Sequence, residues 1–199
     1  MTTEMCLLSE GRNPELSKEQ IENYLCEYLG VDKVIWIKDG IDPEETNGHI
    51  DDVACFVRPG EVACIWTDDE DNPQYPNLKA AYDVLSEATD AKGRTFEIHK
   101  IRMPVKPLYM DQASCDSIDT EEYAEPRVAD EPLIASYMNF LIGNDFVLVP
   151  QYDDEYDEMA LQQVQQMFPE REVVGVPTRE VVYGGGNIHC ITQQQPAGV

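Results

Sequence analysis

One structural unit occurs twice in this chain, and that recurrence limits the possible folds more than any other feature. In the first copy, strand-like stretches from Asp51 to Val57 and from Glu61 to Trp66 flank Arg58-Pro59-Gly60, a hairpin turn signature. Apolar residues then recur at helical spacing through Leu78, Ala81, Tyr82 and Leu85, and a strand is expected from Thr95 to Ile101. The second copy runs through strands at Ile134 to Leu141 and Phe146 to Val149 about a Gly143-Asn144-Asp145 turn. It continues through a helix from about Glu155 to Phe168 and a strand at Glu172 to Val176. The order strand, strand, helix, strand defines an α/β protein with an internal repeat of architecture but not of obvious sequence.

The ends do not complete the pattern. Strands at Glu4 to Leu8 and Lys33 to Ile37 are predicted to bracket a helix that opens on the capping box Ser17-Lys18-Glu19-Gln20. Ile21, Tyr24, Leu25, Tyr28 and Leu29 give that helix one apolar face, and Gly30 ends it. Asn187 to Thr192 reads as a lone strand. Both ends are therefore expected to pair with another chain, or to belong to something longer than this single domain of residues 1–199. Between the copies, Lys106 to Pro132 is a long acidic excursion, a candidate lid or subunit contact as well as a plain surface loop.

Composition removes several function classes. Asp and Glu number 39 against 14 Lys and Arg, a net charge of −25 that repels polyanions and anionic membranes and suits a small cation. Such a charge also serves solubility alone. No apolar run approaches the roughly 20 residues needed to span a bilayer, and Met1-Thr2-Thr3-Glu4 does not open a signal peptide, so a cytoplasmic location is expected. The six cysteines form no C-x-x-C pair, which argues against a zinc site and a disulfide framework.

Three segments carry residues capable of chemistry. His49 and Asp51 stand two apart where a strand is expected to begin, which would put both on one face and turn Asp52 away. His49 could then work as a general acid and base, with Asp51 holding a cationic group. In Tyr183-Gly184-Gly185-Gly186-Asn187-Ile188-His189-Cys190, the glycines let the main chain approach a ligand closely. On a strand His189 and Cys190 would face opposite ways, which leaves His49 as the histidine expected beside Cys190. The acidic run Asp68 to Asp71 lacks calcium-loop spacing and reads as a solvated turn before a helix.

The phrases TTEMCLLSEGRNPELS, EETNGHIDDVACFVRPG, WTDDEDNPQY, DAKGR and GGGNIHCITQQQP resemble the C-terminal portion of the agmatine deiminases, in the guanidino-group-modifying superfamily. The resemblance runs nearly end to end. It implies an α/β propeller, the pentein fold, made of five ββαβ blades, of which about three are present here. It implies Cys190 as nucleophile, His49 as acid/base, Asp51 as a carboxylate gripping the guanidinium, and Glu45, Gly185 and Gly186 at the substrate. Asp52 departs from the Asn usual after H-x-D, and two further family carboxylates would lie in an N-terminal half. The implied reaction hydrolyses agmatine to N-carbamoylputrescine and ammonia, in putrescine biosynthesis, without metal or organic cofactor. Implied partners are the small cationic substrate and either a second copy of this chain or a complementary N-terminal half. A non-catalytic fragment and an arginine or peptidylarginine deiminase are the alternatives.

Overall fold

The computed structural model describes residues 1–41, 47–119 and 126–195. Both repeat units are present. β3 (Ala54–Arg58), β4 (Glu61–Trp66), α3 (Tyr75–Glu87) and β5 (Glu97–Arg102) form the first; they follow β1 (Thr2–Thr3), α1 (Glu4–Leu7), α2 (Lys18–Leu29) and β2 (Trp36–Ile37). Its sheet has the order β3-β4-β5, antiparallel across the hairpin and parallel across the helical crossover. The second unit is β8 (Leu141–Ile142), β9 (Phe146–Gln151), α5 (Asp157–Met167) and β10 (Glu172–Pro177), in which β8 and β9 are antiparallel and β9 and β10 parallel. Between the units, β6 (Leu108–Tyr109) pairs with β7 (Pro132–Leu133) and α4 spans Gln112–Asp116, so part of the acidic excursion is ordered structure.

The pairing explains the burial. β4 lies between two strands under α3, and Val62, Ala63, Cys64 and Ile65 are all fully buried, a continuous apolar run instead of an alternating one. Leu78, Ala81 and Leu85 of α3, and Ala160, Val164 and Met167 of α5, supply the helical stripes that cover the sheets. One core cluster includes residues from both units. Burying each large aliphatic side chain contributes about 1.5–3 kcal/mol. Among the described residues, no helix is long and apolar enough to cross a membrane.

Four expectations fail, each for a local reason. Glu4–Leu7 is a helical turn and not a strand, because the Thr3 hydroxyl accepts from the Cys6 amide at 3.1 Å and caps it. The α2 capping box forms as expected, but of its apolar stripe only Ile21 is buried; Tyr28 and Leu29 are 77% and 67% exposed. Residues 134–140 form no ladder. Their backbone turns at Ser136, whose carbonyl accepts from Asn139 N at 3.2 Å, while the Ser136 hydroxyl takes the Met138 amide at the same distance. The expected strand at Asn187–Thr192 is a helical turn, closed by Ile191 N to Asn187 O at 3.2 Å and Thr192 N to His189 O at 3.1 Å.

β1 fixes the entrance to the H-x-D segment. The buried Thr3 hydroxyl donates to the Gly48 carbonyl at 2.7 Å, and Gly48 has φ +60° against Gly40. A Cβ on Gly48 would lie 2.6 Å from both Gly40 N and Met5 Sδ. The left-handed backbone and the clash together predict that Gly48→Ala costs about 2–4 kcal/mol. Thermal unfolding should show a fall of roughly 5–15 °C; an unchanged melting temperature would contradict the close approach.

Candidate active site

The site is assembled from three short segments that are neither α-helix nor ladder. Residues Ile50–Asp52 form a single 3₁₀ turn, closed by Val53 N to Ile50 O at 3.0 Å. The second segment is the buried stretch 134–140, and the third is the turn carrying His189 and Cys190. A buried polar group links them. The Tyr152 hydroxyl donates to Ser136 O at 3.0 Å and accepts from Ser136 N at 3.1 Å and Asn187 Nδ2 at 3.0 Å. The Ser136 hydroxyl donates to Asp52 O at 2.7 Å. Burial, and then the charge of Asp52, raise the Tyr152 phenol well above its ordinary value, so it stays a neutral donor.

At the meeting point is Asn139, fully buried, a residue that no motif in the sequence picks out. Its Nδ2 lies 3.1 Å from Asp51 Oδ2, 3.1 Å from Asp52 Oδ1 and 3.2 Å from Cys190 Sγ. Its Oδ1 accepts the amides of His189 at 2.9 Å and Cys190 at 3.3 Å. The 3₁₀ turn places Asp51 and Asp52 on the same polar group, which corrects the expectation that Asp52 turns away. Period two does not apply where the backbone is helical. Likewise His189 and Cys190 both reach Asp51 Oδ2, at 2.8 and 3.1 Å, because residues adjacent in a helical turn are not on opposite faces. The histidine bonded to Asp51 is thus His189, which strand periodicity had set aside.

His49 and Cys190 do share a cavity. Their side chains line a space of about 360 Å³ with Arg12, Asn47, Gly185 and Gly186. Arg12 Nη2 lies 2.6 Å from His49 Nε2, and since guanidinium only donates, that nitrogen accepts. No carboxylate among the described residues forms a wall of this cavity; Asp51 reaches it through the sulfur. Glu45 lies outside the described residues. Two of the three glycines have distinct duties: Gly185 turns the chain at φ +85°, and a Cβ on Gly186 would come within 2.9 Å of the Cys190 sulfur. Nothing lies within 4 Å of a Cβ on Gly184.

The electrostatics separate the groups. Burial opposes ionisation of Asp51, but hydrogen bonds from His189 and Cys190, with the His189 charge, outweigh it and hold its carboxyl down to about 2. The Asp51 hydrogen bond raises His189 against the opposing effect of burial. Burial pushes the Cys190 thiol up to about 11; amide donors oppose this and Asp51 adds to it. The resting sulfur is therefore a thiol, and reactivity requires a positive charge nearby. Asp51, Asp52 and Cys190 bring ligand atoms within 4.8 Å of one another, a donor set a cation could use, but the Asn139 amide nitrogen already lies within 3.2 Å of all three.

Two measurements test this geometry. Gly186→Ala should displace the sulfur and slow alkylation of Cys190 at least several-fold, whereas Gly184→Ala leaves it unchanged, with modification read by peptide mass spectrometry. Equal rates in the two variants would contradict the contact. The imidazole of His189, followed by NMR, should titrate above 6.5 and move back toward that value in Asp51→Asn; a midpoint indifferent to Asp51 would disprove the pairing.

Comparison with known proteins places this geometry in a family. Residues 1–196 match the family model described as Porphyromonas-type peptidyl-arginine deiminase. A curated Streptococcus mutans protein with agmatine deiminase in its name is 61% identical over 197 residues, covering 99% of this chain and 53% of that protein. The structure of an Enterococcus faecalis agmatine deiminase superposes with a TM-score of 0.93 at 61% identity, covering 98% of this chain and 53% of its own. A C. jejuni agmatine deiminase gives 0.74 at 27% identity, covering 94% and 49%. This chain spans about half the length of the curated relatives it matches. With a family match across nearly all of its length, the chain belongs to the Porphyromonas-type peptidyl-arginine deiminase family.

Proposed function

We propose that this chain supplies the nucleophile and acid/base of an agmatine deiminase acting in the cytoplasm in putrescine biosynthesis, its ββαβ units being about three blades of a five-bladed pentein propeller. The observation that carries the proposal is the thiol of Cys190 held 3.1 Å from the ionised Asp51, at a cavity it shares with His49. The relatives named as agmatine deiminases at about 60% identity support agmatine as the substrate. A chain of net charge −25 favours the approach of a dication.

A guanidinium bound against Asp51 would bring the positive charge that the thiol needs, so substrate binding and thiolate formation are coupled. The Cys190 proton passes to His49. The sulfur attacks the guanidinium carbon, the C–S bond forms, and the C=N electron pair moves to nitrogen. His49 returns the proton to the departing nitrogen, the C–N bond breaks and ammonia leaves, which gives a covalent thiouronium. His49 then takes a proton from water as the C–O bond forms, and the C–S bond breaks to release N-carbamoylputrescine and the sulfur. Acid/base assistance of this kind contributes roughly 10²–10⁴ in rate. The contact from Arg12 must open before His49 can act through Nε2.

A second reading is favoured by one observation: no carboxylate among the described residues walls the cavity, and a guanidinium there would be held more firmly by further acidic groups. A complementary N-terminal half, or a second copy of the chain, would provide them. The test measures ammonia and ureido product from agmatine and from arginine, with Cys190→Ala beside the parent chain and with a recombinant N-terminal half added. Product from agmatine, abolished by Cys190→Ala, is expected, and stimulation by the added half favours the assembled site. Product from arginine alone would sink the substrate assignment, and no product under any condition would sink the enzyme.

A further inference from the structure

We propose that Asn139 is a positioning residue that controls ionisation of Cys190, with one hydrogen of its fixed side-chain amide serving the sulfur instead of a carboxylate when the thiol loses its proton. The inference rests on the reading of Cys190 as the nucleophile and assigns the residue that makes its thiolate attainable.

The argument is a hydrogen-bond count. Nδ2 carries two hydrogens but faces three acceptors at 3.1–3.2 Å: Asp51 Oδ2, Asp52 Oδ1 and Cys190 Sγ. In the resting state the Cys190 S–H donates to Asp51 Oδ2 at 3.1 Å, so the sulfur does not need the amide and both hydrogens can serve the carboxylates. Once the proton leaves, that S–H bond is gone and two anions face each other across the same gap. The amide then has a donor within reach of the sulfur without any movement of the backbone. Oδ1, bonded to the His189 and Cys190 amides, locks the ring of contacts and fixes which way the amide points. Such an exchange requires the side chain to be rigid, and Asn139 is fully buried between the 3₁₀ turn and the cysteine turn.

Among the described residues, the charged and titratable groups around the sulfur are Asp51 and Asp52 from the 3₁₀ turn, His189 from its own turn, and His49 and Arg12 across the cavity. Two of these are carboxylates close to the sulfur, so a neutral donor between them and a thiolate is a specific requirement. Asn139→Asp would keep the size and one acceptor oxygen but replace the amide donor by a third carboxyl group. This separates control of ionisation from plain packing. Cys190 is already exposed, so a looser site does not slow its modification, whereas loss of the donor does.

The test is the rate of carbamidomethylation of Cys190 by iodoacetamide between pH 7 and pH 9, mapped by peptide mass spectrometry on the whole chain. Below the thiol pKa the rate follows the thiolate fraction, so a tenfold drop reports a rise of about one pH unit. Asn139→Asp is expected to label at least tenfold more slowly at every pH, with a parallel log-rate profile. If Asn139→Asp does not fold, as thermal unfolding would show, Asn139→Ala carries the test with an expected drop of about threefold. Labelling as fast as in the parent chain, or faster, overturns the proposal. The readout needs no turnover: a chain without deiminase activity that still shows the offset defeats the enzyme assignment alone, and an active chain without the offset defeats this inference alone.

Discussion

The site depends on one buried side chain that bonds to two turns at once. Asn139 accepts from the backbone of the cysteine turn and donates toward both carboxylates of the 3₁₀ turn, which are 138 and 139 residues away from His189 and Cys190 at Asp51. A buried amide is costly unless all of its groups are used, and here each has a partner. Tyr152 and Ser136 do the same for the backbone of Ser136 and Met138, whose groups bond to side chains where a sheet ladder was expected. The two repeat units provide the rigid apolar frame, and the chemistry sits on the irregular segments between them, where backbone direction can change within a residue or two.

Much of the frame was legible in the sequence. Hairpin turns, helical spacing and the Ser17 capping box predicted both units and α2, since those signals are local and backbone pairing follows directly from them. The proximity of the candidate residues was legible in part: Cys190, His49, Gly185 and Gly186 share a cavity and Asp51 touches the sulfur, while Glu45 lies outside the described residues. What failed was direction. Alternation was assumed at 51–52 and at 187–192, and both are helical turns, so Asp52 and His189 were expected to face away from the groups they in fact bond. Asn139 had no local signal at all. Its importance arises from contacts across half the chain, which a single Asn between Met138 and Phe140 cannot announce.

A resting thiol and an ionised carboxylate in contact form a pair suited to a cationic substrate. Partial desolvation and Asp51 raise the thiol, and in the proposed reaction the guanidinium would meet that same Asp51, so selectivity and activation would share one group. Small neutral electrophiles gain nothing from this arrangement. Among the cysteines, Cys55 and Cys64 are raised to about 12 by burial, above Cys190 at about 11.

That coupling of cation and thiol is the central claim, and a matched pair of electrophiles measures it most directly. The chain is treated with a haloacetamidine, whose amidinium is cationic, and with the neutral haloacetamide of the same size, and the modified cysteine is identified by peptide mass spectrometry. The account predicts that the cationic reagent modifies Cys190 first and faster than the neutral one, and that Asp51→Asn removes the difference. Equal rates for the two reagents, or preferential modification of another cysteine, would contradict it.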